Sequence, residues 1–196
     1  SISNNEKIFK IKLDVSVPSI YAPVWWDAGY KGSWVDVAVT DTGIDKTHPD
    51  LEDDIEGFSR TFYEQDFSED GTTDDLAGHG THCAGIIASS HTTYQGVASG
   101  VDTLINAKWL DQFGSGYFSD AVSALDWAAT SAPDTAEVFS NSWGCSYKDP
   151  DYGCEIYTPC TPDGETHGIT PYIDSLIDNY YLTIIKSAGN EGECGD

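Results

Sequence analysis

Four polar stretches hold the residue types that acid–base and nucleophilic chemistry requires, and each borders an apolar run. Asp41 closes the run V-A-V-T-D-T-G, and Gly78-His79-Gly80-Thr81-His82 opens a segment of small apolar residues. Ser142 and Gly144 stand in S-N-S-W-G, and Asn190 in I-I-K-S-A-G-N-E-G. An imidazole that a carboxylate can reach is a candidate general base. Taken singly, each stretch is ordinary. D-T-G would serve as a strand-to-turn corner, His79 and His82 as a capping and a packing histidine, and G-N-E-G as a turn. Their order along the chain, each beside an apolar run, is what makes them a candidate site.

Those residues need elements to hold them. Residues 34–40 (W-V-D-V-A-V-T), 103–109, 137–141 and 182–188 are short β-branched or apolar runs and read as strands. Residues 78–88, 117–130 and 169–180 read as helices, the second from its apolar positions 118, 121, 122, 125 and 128. A short helix over 21–29 should end at glycine. Residues 1–20 read as a weakly patterned polar arm, 51–75 as an acidic loop, and 144–166 as a Cys-rich insertion. Strand–helix alternation predicts a three-layer α/β fold, a mostly parallel sheet with helices on both faces. In such a sheet ligands meet the carboxyl ends of the strands, which is where Asp41, Ser142 and Asn190 fall. The expected side chains of Cys83 and His82 lie one turn along from His79, packed beneath the site. No repeat or low-complexity segment interrupts the pattern.

The 196 residues suit one domain, with 33 acidic against 9 basic residues, a net charge of -24 and a single arginine, Arg60. That charge repels phosphate backbones and anionic lipid, which argues against nucleic-acid and membrane partners. It is equally compatible with a saline habitat and with ordinary acidic solubility. Of five cysteines, Cys145, Cys154, Cys160 and Cys194 fall in one stretch rich in Gly, Pro and Asp, the signature of a disulfide-stapled region in an extracellular, secreted protein. Zinc would require paired C-x-x-C spacing, which is not there. Among the three pairings that four cysteines allow, Cys145 with Cys154 and Cys160 with Cys194 is the expected one. Cys83, apart from them, is expected unpaired. The sequence starts at Ser1 without a signal pattern, so an exported chain would already have been processed.

With these motifs in place, the chain resembles the subtilisin-like serine proteases from about Val15 onward. D-T-G-I-D-K-T-H-P-D-L resembles that family's aspartate signature, G-H-G-T-H-C-A-G its histidine signature, N-S-W-G its substrate-binding strand end and S-A-G-N-E-G its oxyanion segment. The resemblance implies a serine endopeptidase in which His79 is the general base, Asp41 orients the imidazole, and Asn190 donates its amide to the oxyanion. It also implies that Gly114, Ser115 and Gly116 on one side, and Ser142, Trp143 and Gly144 on the other, pair with an extended polypeptide substrate. Gly189 and Glu191 would border the same cleft, Glu191 favouring a basic or polar residue before the scissile bond.

Calcium is the cofactor the resemblance implies, with Asp50 in the aspartate signature and Asp66, Asp70, Asp74 and Asp75 in the acidic loop as ligands. A merely solvated loop is the alternative for 66–75, and the partner loop expected for Asp50, residues 89–95, lacks the usual asparagines. D-T-G also ends strands in aspartic proteases, but these need a second such triplet or a symmetric dimer, and the chain holds one. A catalytically inactive, calcium-stabilised binding module is the alternative function. The family's nucleophile sits in a G-T-S-x-A-type motif, and no serine here has that context. The expectation is therefore a two-chain enzyme, matured from a zymogen, whose C-terminal chain from the same precursor supplies the serine. An artificial end to the sequence is the plain alternative.

Overall fold

The computed structural model describes residues 13–144, 147–148, 155–156 and 169–187. Its strands are β1 (Asp36–Val39), β2 (Thr61–Asp66), β3 (Thr103–Lys108), β4 (Val138–Asn141), a two-residue pair β5 (Tyr147–Lys148) and β6 (Glu155–Ile156), and β7 (Thr183–Lys186). Five of them form one sheet in the order β2-β3-β1-β4-β7, with every neighbouring pair parallel. From β1 in the middle of this sheet the chain runs to the edge as β2, returns to fill the gap as β3, and then builds outward on the other side through β4 to β7. The carboxyl end of β1 therefore lies at the switch between the two directions, where such sheets open a crevice.

Period-two alternation sorts the strand side chains onto two helical layers. Ala38, Ile105, Ala107 and Phe139 pack against Ala121, Ala124, Leu125 and Ala128 of α4 (Phe118–Thr130) and Leu176 of α5 (Ile169–Tyr180). Val37, Val39 and Leu104 face the other way, onto Cys83, Ala84 and Ala88 of α3 (His79–Ala88). The result is the expected three-layer α/β fold.

Two expectations need correction. The arm over 1–20 contains a helix, α1 (Leu13–Ser19), in which Val17 is buried against Ala22 of α2 (Ala22–Asp27) beside Trp26. Its apolar face is small enough to be lost among polar neighbours. The acidic loop over 51–75 contains β2, a full edge strand paired to β3 from Thr61 to Asp66. Its acidic residues hide it, yet they have partners: Glu64 pairs with Lys46, and Asp66 Oδ1 accepts from Ser68. The helix over 21–29 ends as expected at Gly29, whose φ is +91°. Of the insertion 144–166, the described part beyond Gly144 is the antiparallel β5–β6 pair.

Candidate active site

Asp41 is almost wholly buried, at 1 % exposure, two residues past the end of β1. Its backbone is fixed from β3, because its carbonyl accepts the N–H groups of Trp109 (3.1 Å) and Leu110 (3.2 Å). Its Oδ1 accepts the Thr42 N–H and stands 2.7 Å from Nδ1 of His79. Facing a carboxylate, Nδ1 is the donor, so Nε2 carries the free lone pair. The His79 side chain is about half exposed. A base oriented by a buried carboxylate thus turns its basic nitrogen to an accessible face.

The histidine is brought there by the start of α3, and the approach depends on two glycines. A Cβ on Gly80 would lie 2.1 Å from the Gly43 carbonyl oxygen and 3.1 Å from Asp41 Cβ. Gly43, at φ +116°, packs on the Thr73–Asp74 peptide, where a Cβ would meet the Thr73 oxygen at 2.7 Å. Gly43 of D-T-G and Gly80, the second glycine of G-H-G, are therefore the contact itself. Asp75 ties the junction. Its Oδ1 accepts from the Ala77 and Gly78 N–H groups and the Thr42 hydroxyl, and its Oδ2 from the Thr81 N–H at 2.8 Å. The Gly80 N–H in turn donates to Thr42 Oγ1.

Burial pushes the Asp75 carboxyl upward, but the bonds from Thr81, Thr42 and Gly78 outweigh it and leave it below its ordinary value. A depressed carboxyl stabilises the fold above its unfolded value of about 3.9, and that contribution is lost as pH falls through the lower folded value. Asp75→Asn should therefore cost about 1–2 kcal/mol at neutral pH. Urea unfolding followed with pH should show the wild type losing this difference below about pH 4, while the variant's curve is flatter there.

The two segments expected to pair with substrate are each tied to residues beside Asp41. Trp143 Nε1 donates to Thr40 Oγ1, Thr40 Oγ1 donates to Asn141 Oδ1, and Asn141 Nδ2 donates to the Ile185 carbonyl. This buried chain fixes the segment Ser142, Trp143, Gly144 across β1, β4 and β7. Opposite, Asp111 Oδ1 accepts the N–H groups of Phe113 and Ser115, which closes the turn through Gly114 (φ +74°). Gly116 is required by packing, since a Cβ there would meet the Trp109 carbonyl at 2.4 Å. The Trp109 and Trp143 rings, 4.9 Å apart and edge-on, join the two edges. Ser68, Glu69, Trp109, Asp111, Ser115, Gly116, Tyr117 and Asp120 line a cavity of about 220 Å³ beside this turn.

Cys83 packs beneath the imidazole as expected, its Sγ 4.0 Å from His79 Nδ1, and it is unpaired. His82 does not: it is exposed and lines a separate cavity of about 390 Å³ with His48, Asp50 and Tyr94. The helix turns it away from β1. Asp41, His79 and Cys83 form a compact trio of metal-ligand types. Burial pushes the Cys83 thiol up to about 11, despite a lowering bond from Ser142, so at neutral pH it is protonated and a poor ligand.

The residues offered for calcium are placed otherwise than as a cage. Among the described residues the converging group of three or more acidic, histidine or cysteine ligands is that same trio. Asp66 Oδ1 accepts from the Ser68 N–H and hydroxyl, and Asp70 faces Lys108. Asp74 is exposed and gives its carbonyl to Lys108, while Asp75 is committed to α3. Asp50 gives its carbonyl to Ser90. Asn190, Gly189, Glu191 and the four cysteines Cys145, Cys154, Cys160 and Cys194 lie outside the described residues. Sequence reasoning missed Thr40, Thr42 and Asn141 as site-building residues. The signal was there, since each is a polar residue at the end of an apolar strand.

A sequence model of the subtilase family matches residues 32–195. Subtilisin E of Bacillus subtilis (strain 168) is 33 % identical over 181 residues, 91 % of this chain and 40 % of that protein. The major intracellular serine protease of the same strain is 35 % identical over 133 residues, 66 % of this chain and 41 % of that protein. The minor extracellular protease Vpr, also from that strain, is 32 % identical over 157 residues, 77 % of this chain and 19 % of that protein. The chain thus spans less than half the length of each. Among the described residues, no helix is long and apolar enough to cross a membrane.

Proposed function

Because the chain belongs to the subtilase family, we propose that it supplies the Asp–His half of a serine endopeptidase whose nucleophilic serine comes from polypeptide outside these 196 residues. The observation that carries this is the 2.7 Å contact between Asp41 Oδ1 and His79 Nδ1, with the imidazole half exposed. In this reading His79 Nε2 takes the serine hydroxyl proton as the oxygen attacks the scissile carbonyl. It then returns that proton to the leaving amine, while Asp41 holds the tautomer and stabilises the imidazolium. Asn190 donates to the oxyanion. The peptide lies extended between the edges at Gly114 to Gly116 and Ser142 to Gly144, paired through its main chain. Glu69, Asp111 and Asp120 around the cavity beside Gly116 support a preference for a cationic side chain there.

We further propose that the protein is secreted, on the strength of its cysteine content, and that the serine-bearing half is a second chain of the same precursor. Residues 1–196 refolded alone should hydrolyse no peptide amide and should regain activity with the serine-bearing half. The restored activity should be blocked by a serine-directed phosphonate and not by an aspartate-directed inhibitor. Full activity from these residues alone would overturn the assignment.

A further inference from the structure

Calcium is expected in two places: in the acidic loop a side-chain cation is seated on oxygens of the expected ligands, and beside Asp50 another holds the carbonyls that flank that aspartate and the end of α3. Lys108, at the end of β3, has no exposed surface. Its ammonium lies 2.9 Å from Asp70 Oδ2 and donates to the Asp74 carbonyl at 2.8 Å. Beside it the buried Asn106 donates to the Thr73 carbonyl at 2.9 Å. The inward-facing oxygens of the acidic loop are thus met from β3. Arg60, the single arginine, is 6 % exposed and reaches four carbonyls: Val101 (2.9 Å), Leu51 (2.6 Å), Ala88 (2.9 Å) and Ser99 (3.3 Å). Leu51 follows Asp50, and Ala88 ends α3 just before the loop over 89–95. The Ser90 N–H closes the same junction onto the Asp50 carbonyl at 2.9 Å.

Carboxylate and carbonyl oxygens are what a calcium ion collects, and a guanidinium or ammonium answers the same oxygens with hydrogen bonds as well as charge. In a chain of net charge -24, burying two of nine basic residues is a committed use of them. We propose that Arg60 and Lys108 are resident internal cations that hold these two loops in place of calcium, and that Lys108 is thereby a positioning residue for Asp41 and His79. The linkage is continuous. Lys108 holds the Asp74 carbonyl, the next residue Asp75 holds Thr42 and the first turn of α3, and Gly43 packs on the Thr73–Asp74 peptide. The catalytic part rests on the protease reading; the replacement of calcium does not.

Hydrogen exchange of the complete protein tests it, read over residues 66–82 and 86–101 with either EGTA or calcium chloride present. The wild type should keep both segments protected in EGTA. Lys108→Met should speed exchange on the order of a hundredfold over 66–82 and leave 86–101 alone, because it strands Asp70 without its partner. Arg60→Met should do the reverse. Asp70→Asn gives the same comparison should Lys108→Met fail to fold. On peptide substrate, Lys108→Met should lower kcat with KM held, the mark of a displaced catalytic pair. Chelator deprotection of either segment in the wild type overturns the proposal, as does full protection of 66–82 in both loop variants. An inactive wild type with the expected exchange pattern would refute the protease reading alone.

Discussion

His79→Ala in the complete protein should lower kcat about 10⁶-fold and Asp41→Asn about 10⁴-fold, with KM changing little in either. The difference between the two follows from geometry. Removing the imidazole removes the proton acceptor itself. The amide leaves an acceptor or a donor at the Oδ1 position, 2.7 Å from Nδ1, and a donor there imposes the wrong tautomer. Both should fold, because His79 is half exposed and Asn keeps the volume of a side chain whose neighbours are the Thr42 N–H and the imidazole. The double variant should be no slower than His79→Ala, since the carboxylate acts through the imidazole. Single-turnover kinetics on a chromogenic peptide amide would check both.

Gly80→Ala should be the most damaging added methyl among the described glycines. The added carbon would sit 2.1 Å from the Gly43 carbonyl oxygen, a backbone atom that cannot swing aside. Relief requires α3 to move off the D-T-G turn, which breaks the Gly80 N–H bond to Thr42 and shifts His79 from Asp41. A loss of about 3 kcal/mol in urea unfolding is expected. A kcat reduction of about 10²-fold should accompany it, because a shift near 1 Å in a catalytic pair has that effect. Gly78→Ala provides the contrast. Nothing lies within 4 Å of a Cβ there, so its φ of +86° is the one penalty, about 1 kcal/mol.

Asp41 and His79 were legible because their motifs sit where strand and helix periodicity change, and such positions face the crevice in any parallel sheet. β2 is not legible, because the acidic residue in its middle, Glu64, is answered by a lysine that sequence order places far away, Lys46. His82 faces away from the surface expected for it, since spacing of three along a helix leaves the packing side undetermined until the neighbouring strand is known. The acidic stretch 66–75 looked like a cation loop, and the partner that answers it, Lys108, was concealed as the last residue of a wholly buried strand. Composition shows charge; it does not show which opposite charge is folded against it.

The most direct test is to label the complete protein with a fluorophosphonate and locate the modified residue by peptide mass spectrometry, in wild type and in His79→Ala. One labelled serine is expected, outside these 196 residues, with labelling slowed by orders of magnitude in the variant. Label on a serine within residues 1–196, or labelling as fast in His79→Ala as in the wild type, would contradict it.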